Sequence, residues 1–330
     1  MLDKLKTMKK WKKAAAAAGF LSVFVLGILF FKNGFSGKES GSESGYTDAQ
    51  TMLIIATEAN RYRSVYTDEI WNIPVGPEKE EFQSYLLKQI RSFIKEVKTM
   101  NLLADERGIR LTGEEQEKLR QLSSEFYQSL TAEDLACTGA SEEDVYVMYE
   151  AYHRANRLVD QITENVDLEI SDSEARVMTV QELKFSSEGE ALESFRRLTE
   201  EEISFDKEAR AVCEDGLKEK LVGRGECSKA YEEAVFSLEN DQLSRVFQDG
   251  DSWYIVKCVN AYNEGATLER KEKLALQRKN QAFRQIYNRF AQEHPVEIQG
   301  NIWEETLLSD MKGSTTGDFF ERYRIFMNEK

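Results

Sequence analysis

The sequence predicts an α+β protein in which a mostly helical chain is interrupted by one small unit with an antiparallel sheet. From Tyr46 to about Ile170, apolar residues recur at helical spacing, and a long charged helix is predicted again from Thr267 to Glu293. Between them, residues 223–260 have the pattern of a short helix, a strand, a tight turn at Asp249-Gly250-Asp251 and a closing strand. Only three prolines occur in the chain, which favours long helices.

Charge is distributed unevenly along the 330 residues, whose formal net charge is −15. Residues 1–13 hold six Lys and one Asp, which leaves 38 basic and 58 acidic residues in the rest of the chain, a net charge of −20. An acidic body argues against nucleic-acid binding, because phosphate contacts require clustered Lys and Arg. Neither a P-loop motif nor the GxGxxG motif occurs, so no nucleotide partner is predicted.

The N-terminal segment predicts a membrane anchor. After the lysine-rich residues 1–13 comes an uncharged run, Ala14–Phe31, whose eighteen residues are just long enough to cross a bilayer core. The lysines place the N-terminus in the cytoplasm and the body of the chain outside the cell membrane. A cleaved signal peptide is the alternative, but no Ala-x-Ala follows the run and no Cys near its end could accept a lipid. Residues 32–45 are rich in Gly and Ser, which predicts a flexible linker.

Helix signals dominate residues 46–170. Helices are predicted at Asp48–Arg63 and Glu80–Met100, and capping boxes at Thr112–Glu115 and Ser141–Asp144 open two more. His153 lies on the last of these helices without an acidic or thiol partner at a telling spacing, so it is interpreted as a solvated or packing residue.

The predicted elements of the sheet unit follow, with the C-terminal segments after them. They are a strand at Val177–Phe185, helices at 189–201 and 205–214, and strands at Leu243–Phe247 and Trp253–Val259. Further along, Val296–Trp303 is predicted as a short edge strand. A final helix within Asp318–Lys330 is expected to dock on the body, the alternative being a surface for a partner or membrane.

Four cysteines occur, Cys137, Cys213, Cys227 and Cys258, with no CxxC spacing, and the chain has only two His. A zinc site is therefore not predicted, and neither is any other metal or cofactor. Free, buried thiols are favoured, although a disulfide with any of the three possible pairings stays open.

The sheet unit resembles the second half of a parvulin-type peptidyl-prolyl isomerase domain. Three blocks carry the resemblance in the family's order: Tyr231–Leu238 (YEEAVFSL), Gln242-Leu243-Ser244, and Trp253-Tyr254-Ile255-Val256. In the helical region, Leu87–Ile94 and Gly108–Thr112 resemble the chaperone region of the PrsA/SurA-type secretion foldases.

This resemblance implies a division into domains. Residues 46–174 would form a helical chaperone domain, 175–263 an inserted parvulin-like domain, and 264–330 a C-terminal helix and tail that pack back on the helical domain.

Parvulins use two His, an Asp or Cys, a Met and a Phe, and the resemblance implies which residues stand in those places. Asp215 is retained, Cys227 takes the Met position, Tyr231 the Phe position and Tyr254 that of the last His, while either Gln181 or Glu182 takes that of the first. Substrate contacts are expected from Tyr231, Phe236, Phe247 and Tyr254. Because both histidines are absent, we expect isomerase activity to be weak or lost.

The predicted function is that of a membrane-anchored extracytoplasmic chaperone. It would bind unfolded or nascent secreted polypeptides through a helical cleft and the parvulin-like unit, without a nucleotide cycle. Two alternatives stay open: a working prolyl isomerase that uses Asp215, Cys227, Tyr231 and Tyr254, and a scaffold protein of the cell envelope.

Overall fold

The computed structural model describes residues 45–212 and 216–328, which form two compact units. The first, here called the helical unit, comprises residues up to 165 together with those from 280 onward. The second, here called the sheet unit, comprises residues 166–279 and so interrupts the first in sequence. No helix in the described ranges is both long and apolar enough to cross a membrane. The predicted anchor at 14–31 and linker up to 44 lie outside the described residues, as do Cys213 and Asp215.

The helical unit consists of helices connected by short turns. They are α1 (Asp48–Arg63), α2 (Phe82–Glu106), α3 (Gly113–Ser129), α4 (Ala132–Thr138) and α5 (Glu142–Thr163), with a 3₁₀ turn at Asp68–Asn72 and a two-residue hairpin of β1 (Pro74–Val75) and β2 (Glu80–Glu81). Both predicted capping boxes are confirmed, at Thr112 with Glu115 and at Ser141 with Asp144. Each cap satisfies backbone N–H groups that the first helical turn leaves without partners.

The C-terminal segments complete the core of the helical unit. They are the end of α10 (Glu264–Glu293), α11 (Ile302–Glu305), a 3₁₀ turn at Leu308–Asp310, and α12 (Phe319–Asn328). Phe319 is fully buried and stacks on Tyr149 of α5 with 3.9 Å between ring centroids. The last helix thus packs against α5 through this ring. The preceding loop is held by Asp134, whose Oδ1 accepts hydrogen bonds from the backbone N–H groups of Thr315 (2.6 Å) and Thr316 (2.9 Å).

The prediction of a strand at Val296–Trp303 is wrong. Residues 296–300 have no regular secondary structure, and Trp303 is buried within α11. The carbonyl oxygen of Ile298 accepts hydrogen bonds from the Arg91 guanidinium, at 2.7 Å from Nη2, where a strand would use it to pair with a neighbouring strand. The alternation of apolar and polar residues in this segment therefore comes from an extended chain that packs on the core.

The sheet unit is built around four antiparallel strands in the order β4-β3-β6-β5. Their bounds are β3 (Val177–Phe185), β4 (Glu219–Gly223), β5 (Phe247–Asp249) and β6 (Ser252–Asn260), and the helices are α6 (Asp172–Ala175), α7 (Glu188–Thr199), α8 (Phe205–Val212) and α9 (Lys229–Val235). The central strand β3 occupies the range predicted from the sequence. It pairs with β4 on one side and with β6 on the other.

The strand predicted at Leu243–Phe247 is largely absent. Leu243 forms only an isolated bridge with Lys257, and β5 begins at Phe247. The Ser244 hydroxyl accepts a hydrogen bond from the backbone N–H of Val256 at 2.9 Å, while the Ser244 N–H donates to the Val256 carbonyl at 2.8 Å. A side-chain oxygen therefore replaces one bond of the backbone ladder, which prevents a regular strand.

Each face of the sheet carries its own apolar cluster because side chains alternate along a strand. One face, with Met178, Val180 and Val256, is covered by α9; the other, with Leu183 and Ile255, packs against residues of α7 and α8. Among the described cysteines, Cys137, Cys227 and Cys258 are free thiols; Cys258 is buried and the other two are half-buried.

His153 is a packing residue with two polar partners. It is 7% exposed, and its Nδ1 lies 2.7 Å from the Tyr323 hydroxyl of α12 and its Nε2 lies 3.3 Å from Glu115 Oε1. Burial lowers the pKa of His153, against the opposing effect of Glu115. The sequence spacing missed Glu115 because it lies 38 residues away, on α3.

We expect the helical unit to lose stability as the pH falls below about 6.5, the ordinary pKa of histidine. Since the folded-state pKa is lower, the unfolded chain binds the proton more tightly in this range, and the free energy of unfolding decreases. The charged groups that act on the ring are Glu115, Arg157 and Asp160. Thermal unfolding at pH 7.5 and 5.5 should show a larger drop for the unmodified chain than for His153→Gln. Equal losses of thermal stability in the two proteins would contradict the role of His153 in this pH dependence.

Candidate functional site

The candidate site lies on the face of the sheet that α9 covers. Along β3, Val180, Glu182 and Lys184 alternate onto this face, and the register places them opposite Cys258, Val256 and Tyr254 of β6. On the other side of β3, Lys220 of β4 is paired with Val180. On the far side of β6, Phe247 of β5 is paired with Tyr254.

Tyr231, at the first turn of α9, is the centre of the site. The Ser228 hydroxyl caps the helix by accepting a hydrogen bond from the Tyr231 backbone N–H at 3.1 Å, which fixes the start of α9 over the sheet. The Tyr231 ring is 3% exposed, and its hydroxyl donates a hydrogen bond to Glu182 Oε2 at 2.7 Å. Burial raises the pKa of Tyr231 well above its usual range, and the bond to Glu182 raises it further, so the phenol stays protonated.

Glu182 forms an ion pair as well as this hydrogen bond. Lys220 Nζ lies 3.1 Å from Glu182 Oε2, and the same ammonium lies 5.0 Å from the centroid of the Tyr231 ring. Hence Lys220, Glu182 and Tyr231 form one connected polar group at the edge of the apolar face.

Three aromatic rings extend the site from Tyr231 toward β5. Tyr231 meets Phe247 edge-to-face at 5.6 Å and Tyr254 at 6.1 Å, and Phe247 stacks on Tyr254 at 5.8 Å. Phe247 and Tyr254 are half-buried, and the Lys184 ammonium lies 5.9 Å from the Tyr254 ring. These three rings, here called the aromatic trio, form an apolar surface that is partly open to solvent.

The predicted site residues are only partly brought together. Tyr231, Phe247 and Tyr254 meet in the aromatic trio, and half-buried Cys227 packs against the same cluster. Burial raises the pKa of the Cys227 thiol, which disfavours the reactive thiolate.

Phe236 belongs to the same apolar cluster but has different ring neighbours. It lies under the guanidinium groups of Arg224, at 5.0 Å, and Arg176, at 5.7 Å. Asp215 lies outside the described residues.

Gln181 and Glu182, the two residues predicted for the place of the first histidine, lie on opposite faces of the sheet. Glu182 faces α9, while Gln181 is paired with Glu219 and Lys257 and alternates to the opposite face. Among the described residues, the partners of Glu182 are Tyr231 and Lys220, so its charge is compensated. Sequence reasoning did not identify Lys220 or Lys184 as site residues. The antiparallel register of β4 with β3 is the signal that locates Lys220.

Both histidines of the chain, His153 and His294, belong to the helical unit, so the sheet unit has no imidazole to titrate near neutral pH. In the described part of the chain, no three His, Cys, Asp or Glu side chains cluster in a way that could hold a metal ion.

The architecture is that of an α+β protein. A four-stranded antiparallel sheet, with α9 on one face and α7 and α8 on the other, interrupts a helical unit in sequence.

Three solved structures to which this chain is similar are PrsA proteins. The peptidyl-prolyl isomerase PrsA of Bacillus cereus is 18% identical, with 76% of this chain and 98% of that chain covered and a TM-score of 0.37. The foldase protein PrsA of Streptococcus pneumoniae is 16% identical over 70% and 96% of the two chains, with a TM-score of 0.28. PrsA of Bacillus anthracis is 15% identical over 63% and 100%, with a TM-score of 0.32.

No family model and no curated protein matches the chain.

Proposed function

We propose that this protein is an extracytoplasmic chaperone that holds unfolded secreted polypeptides, with a parvulin-like unit that binds them and has little or no isomerase activity. Residues 14–31 would anchor it in the cell membrane, with the N-terminus in the cytoplasm. The observation that carries the proposal is the aromatic trio, which offers a partly exposed apolar surface. The sheet unit also contains no histidine.

The chemistry of prolyl isomerisation explains why binding is favoured over catalysis. Amide resonance sets a barrier of about 18–20 kcal/mol, and an enzyme must stabilise the twisted peptide bond more strongly than the planar one. At this site the Tyr231 hydroxyl is already donated to Glu182, and Glu182 is already paired with Lys220. These groups hold one another in place and leave the rings of Phe247 and Tyr254 as the accessible surface.

Apolar residues of a bound polypeptide would pack on the aromatic trio, and the Lys184 and Lys220 side chains at its edge would contact backbone carbonyl or acidic groups. The helical unit would add contacts through exposed apolar side chains such as Val65 and Tyr85. The net negative charge outside residues 1–13 would keep loaded chaperones apart.

The test combines two assays on the full chain. In the first assay, we expect the full chain to slow the aggregation of a chemically unfolded client. In the second, we expect it to shift the NMR signals of a short Xaa-Pro peptide without accelerating the cis/trans exchange of that peptide. Tyr254→Ala should weaken peptide binding by roughly 3- to 10-fold, the range expected for the loss of one aromatic contact. Tyr262→Ala is the matched control, because Tyr262 is an exposed tyrosine of the same unit outside the aromatic trio.

Each contrary outcome has a definite meaning. If the full chain does not slow aggregation, the chaperone proposal is wrong. Accelerated exchange that Tyr254→Ala abolishes would establish a working isomerase in place of a binding unit.

A further inference from the structure

A second feature of the sheet unit is a cavity of about 400 Å³ that the aromatic trio does not line. Its walls are the turn after β4, the end of α6 and the first half of α10; the lining residues are Glu174, Arg224, Gly225, Glu226, Arg270, Lys273, Leu274 and Gln277. A cavity of this size falls within the range that small ligands or single side chains occupy.

Arg270 is the unusual member of this lining. It is 9% exposed, and its Nη2 donates a hydrogen bond to the backbone carbonyl of Arg224. Its Nε and Nη1 are buried and have no hydrogen-bond partner among the described residues. A buried guanidinium that lacks acceptors carries an unfavourable free energy, which a bound anion would relieve.

The backbone is shaped to admit this arginine. The guanidinium lies against Gly223, where a Cβ atom would overlap Arg270 Nη1. The φ angle of Gly223 is not in the left-handed region, so a side chain here would displace the Arg270 guanidinium without straining the backbone. The absence of a side chain at Gly223 thus leaves the space that this guanidinium occupies.

The charges around the cavity leave an excess of positive groups. Both oxygens of Glu174 are held by Arg278, at 2.7 and 2.8 Å. Glu226 is half-exposed, and its carboxylate lies 3.7 Å from Arg270 Nη2. Within the described lining, it is the only acidic group left to balance three positive ones, those of Arg224, Arg270 and Lys273. Lys273 is exposed and forms no ion pair with any described residue.

We propose that this cavity binds a carboxylate of the client polypeptide, an inference that rests on the chaperone function proposed above. An arginine presents its N–H groups in a planar fork that matches a carboxylate. A singly charged group suits the site better than a phosphate dianion, because Glu226 repels the second charge. Leu274 offers an apolar wall for the carbon atoms next to the carboxylate, and the Gln277 amide offers a further donor.

The carboxylate has two sources in a polypeptide, the C-terminus and the side chains of Asp and Glu, and two pairs of fluorescein-labelled 15-residue peptides separate them. The first pair differs only in a free or amidated C-terminus. The second pair is amidated and differs only in a central Glu or Gln. Binding to the full chain is measured by fluorescence anisotropy.

We expect the acidic member of at least one pair to bind about tenfold more tightly than its neutral counterpart, and the pair that shows this preference identifies the source. Arg270→Met, which keeps the length of the side chain, should reduce the ratio to about one. Lys273→Gln should reduce it partly and leave folding unchanged, since Lys273 is exposed. Lys271→Gln is the matched control, because Lys271 is on the same helix but pairs with Asp172.

Equal affinities within both pairs, or no binding by any of the four peptides, would overturn the carboxylate site. So would a preference that survives in both Arg270→Met and Lys273→Gln. These outcomes are distinct from failure of the chaperone function, which would appear as a full chain that does not slow client aggregation.

Discussion

Tyr231→Ala is expected to destabilise the sheet unit by about 3–5 kcal/mol, the cost of removing a buried aromatic ring. The ring is 3% exposed and contacts both Phe247 and Tyr254, so its loss leaves a cavity at the centre of the aromatic trio. Binding of an Xaa-Pro peptide should be lost together with that packing. Because a chain of two units need not unfold in a single step, hydrogen exchange of the β3 and β6 amides is the appropriate measurement.

Tyr231→Phe is the matched control for this prediction. It keeps the ring and removes only the hydroxyl that donates to Glu182 at 2.7 Å. We expect a cost of about 1 kcal/mol and retained peptide binding, because Glu182 keeps its ion pair with Lys220. If the two variants lose protection equally, the hydrogen bond and not the ring packing organises the site.

Phe319→Ala is expected to have a similar effect on the helical unit, again about 3–5 kcal/mol. Phe319 is fully buried, stacks on Tyr149 at 3.9 Å and meets Phe126 edge-to-face at 5.4 Å. Without this ring, α12 loses its fully buried contacts with Tyr149 and Phe126, and we expect limited proteolysis to cleave the chain near residues 313–320.

Ile325→Ala, on the same helix, is the control for this second prediction. Ile325 is 46% exposed, so the substitution should change the free energy of unfolding by no more than about 0.5 kcal/mol. Comparable proteolysis of both variants would mean that α12 is not held by Phe319.

Much of the fold could be predicted where the signal is local. The bounds of β3, the end of α10 at Glu293 ahead of Pro295 and the caps at Thr112 and Ser141 all depend on residues a few positions apart. The two wrong strands, Leu243–Phe247 and Val296–Trp303, have the local pattern of a strand. They fail because their hydrogen-bonding groups are used elsewhere, by the Ser244 hydroxyl and by Arg91.

The residues of the candidate site likewise fall into those that local motifs predict and those that only strand pairing reveals. Tyr231 and Tyr254 were found because the motif blocks that contain them are continuous in sequence, and the structure brings them together. Choosing Glu182 over Gln181 required the register of β3 with β6, and finding Lys220 required its register with β4. Asp215 lies outside the described residues, so its role stays a prediction.

Periodicity, capping and charge in the sequence were sufficient to establish an α+β chain with a small antiparallel unit, an acidic body and no imidazole in that unit. Those properties follow from composition and from neighbours along the chain. The pairing of Tyr231 with Glu182, of His153 with Glu115, and of Arg270 with the Gly223 turn each joins residues 38 to 49 positions apart. Such contacts depend on how strands and helices pack, and no local pattern specifies them, so they became visible only in the folded molecule.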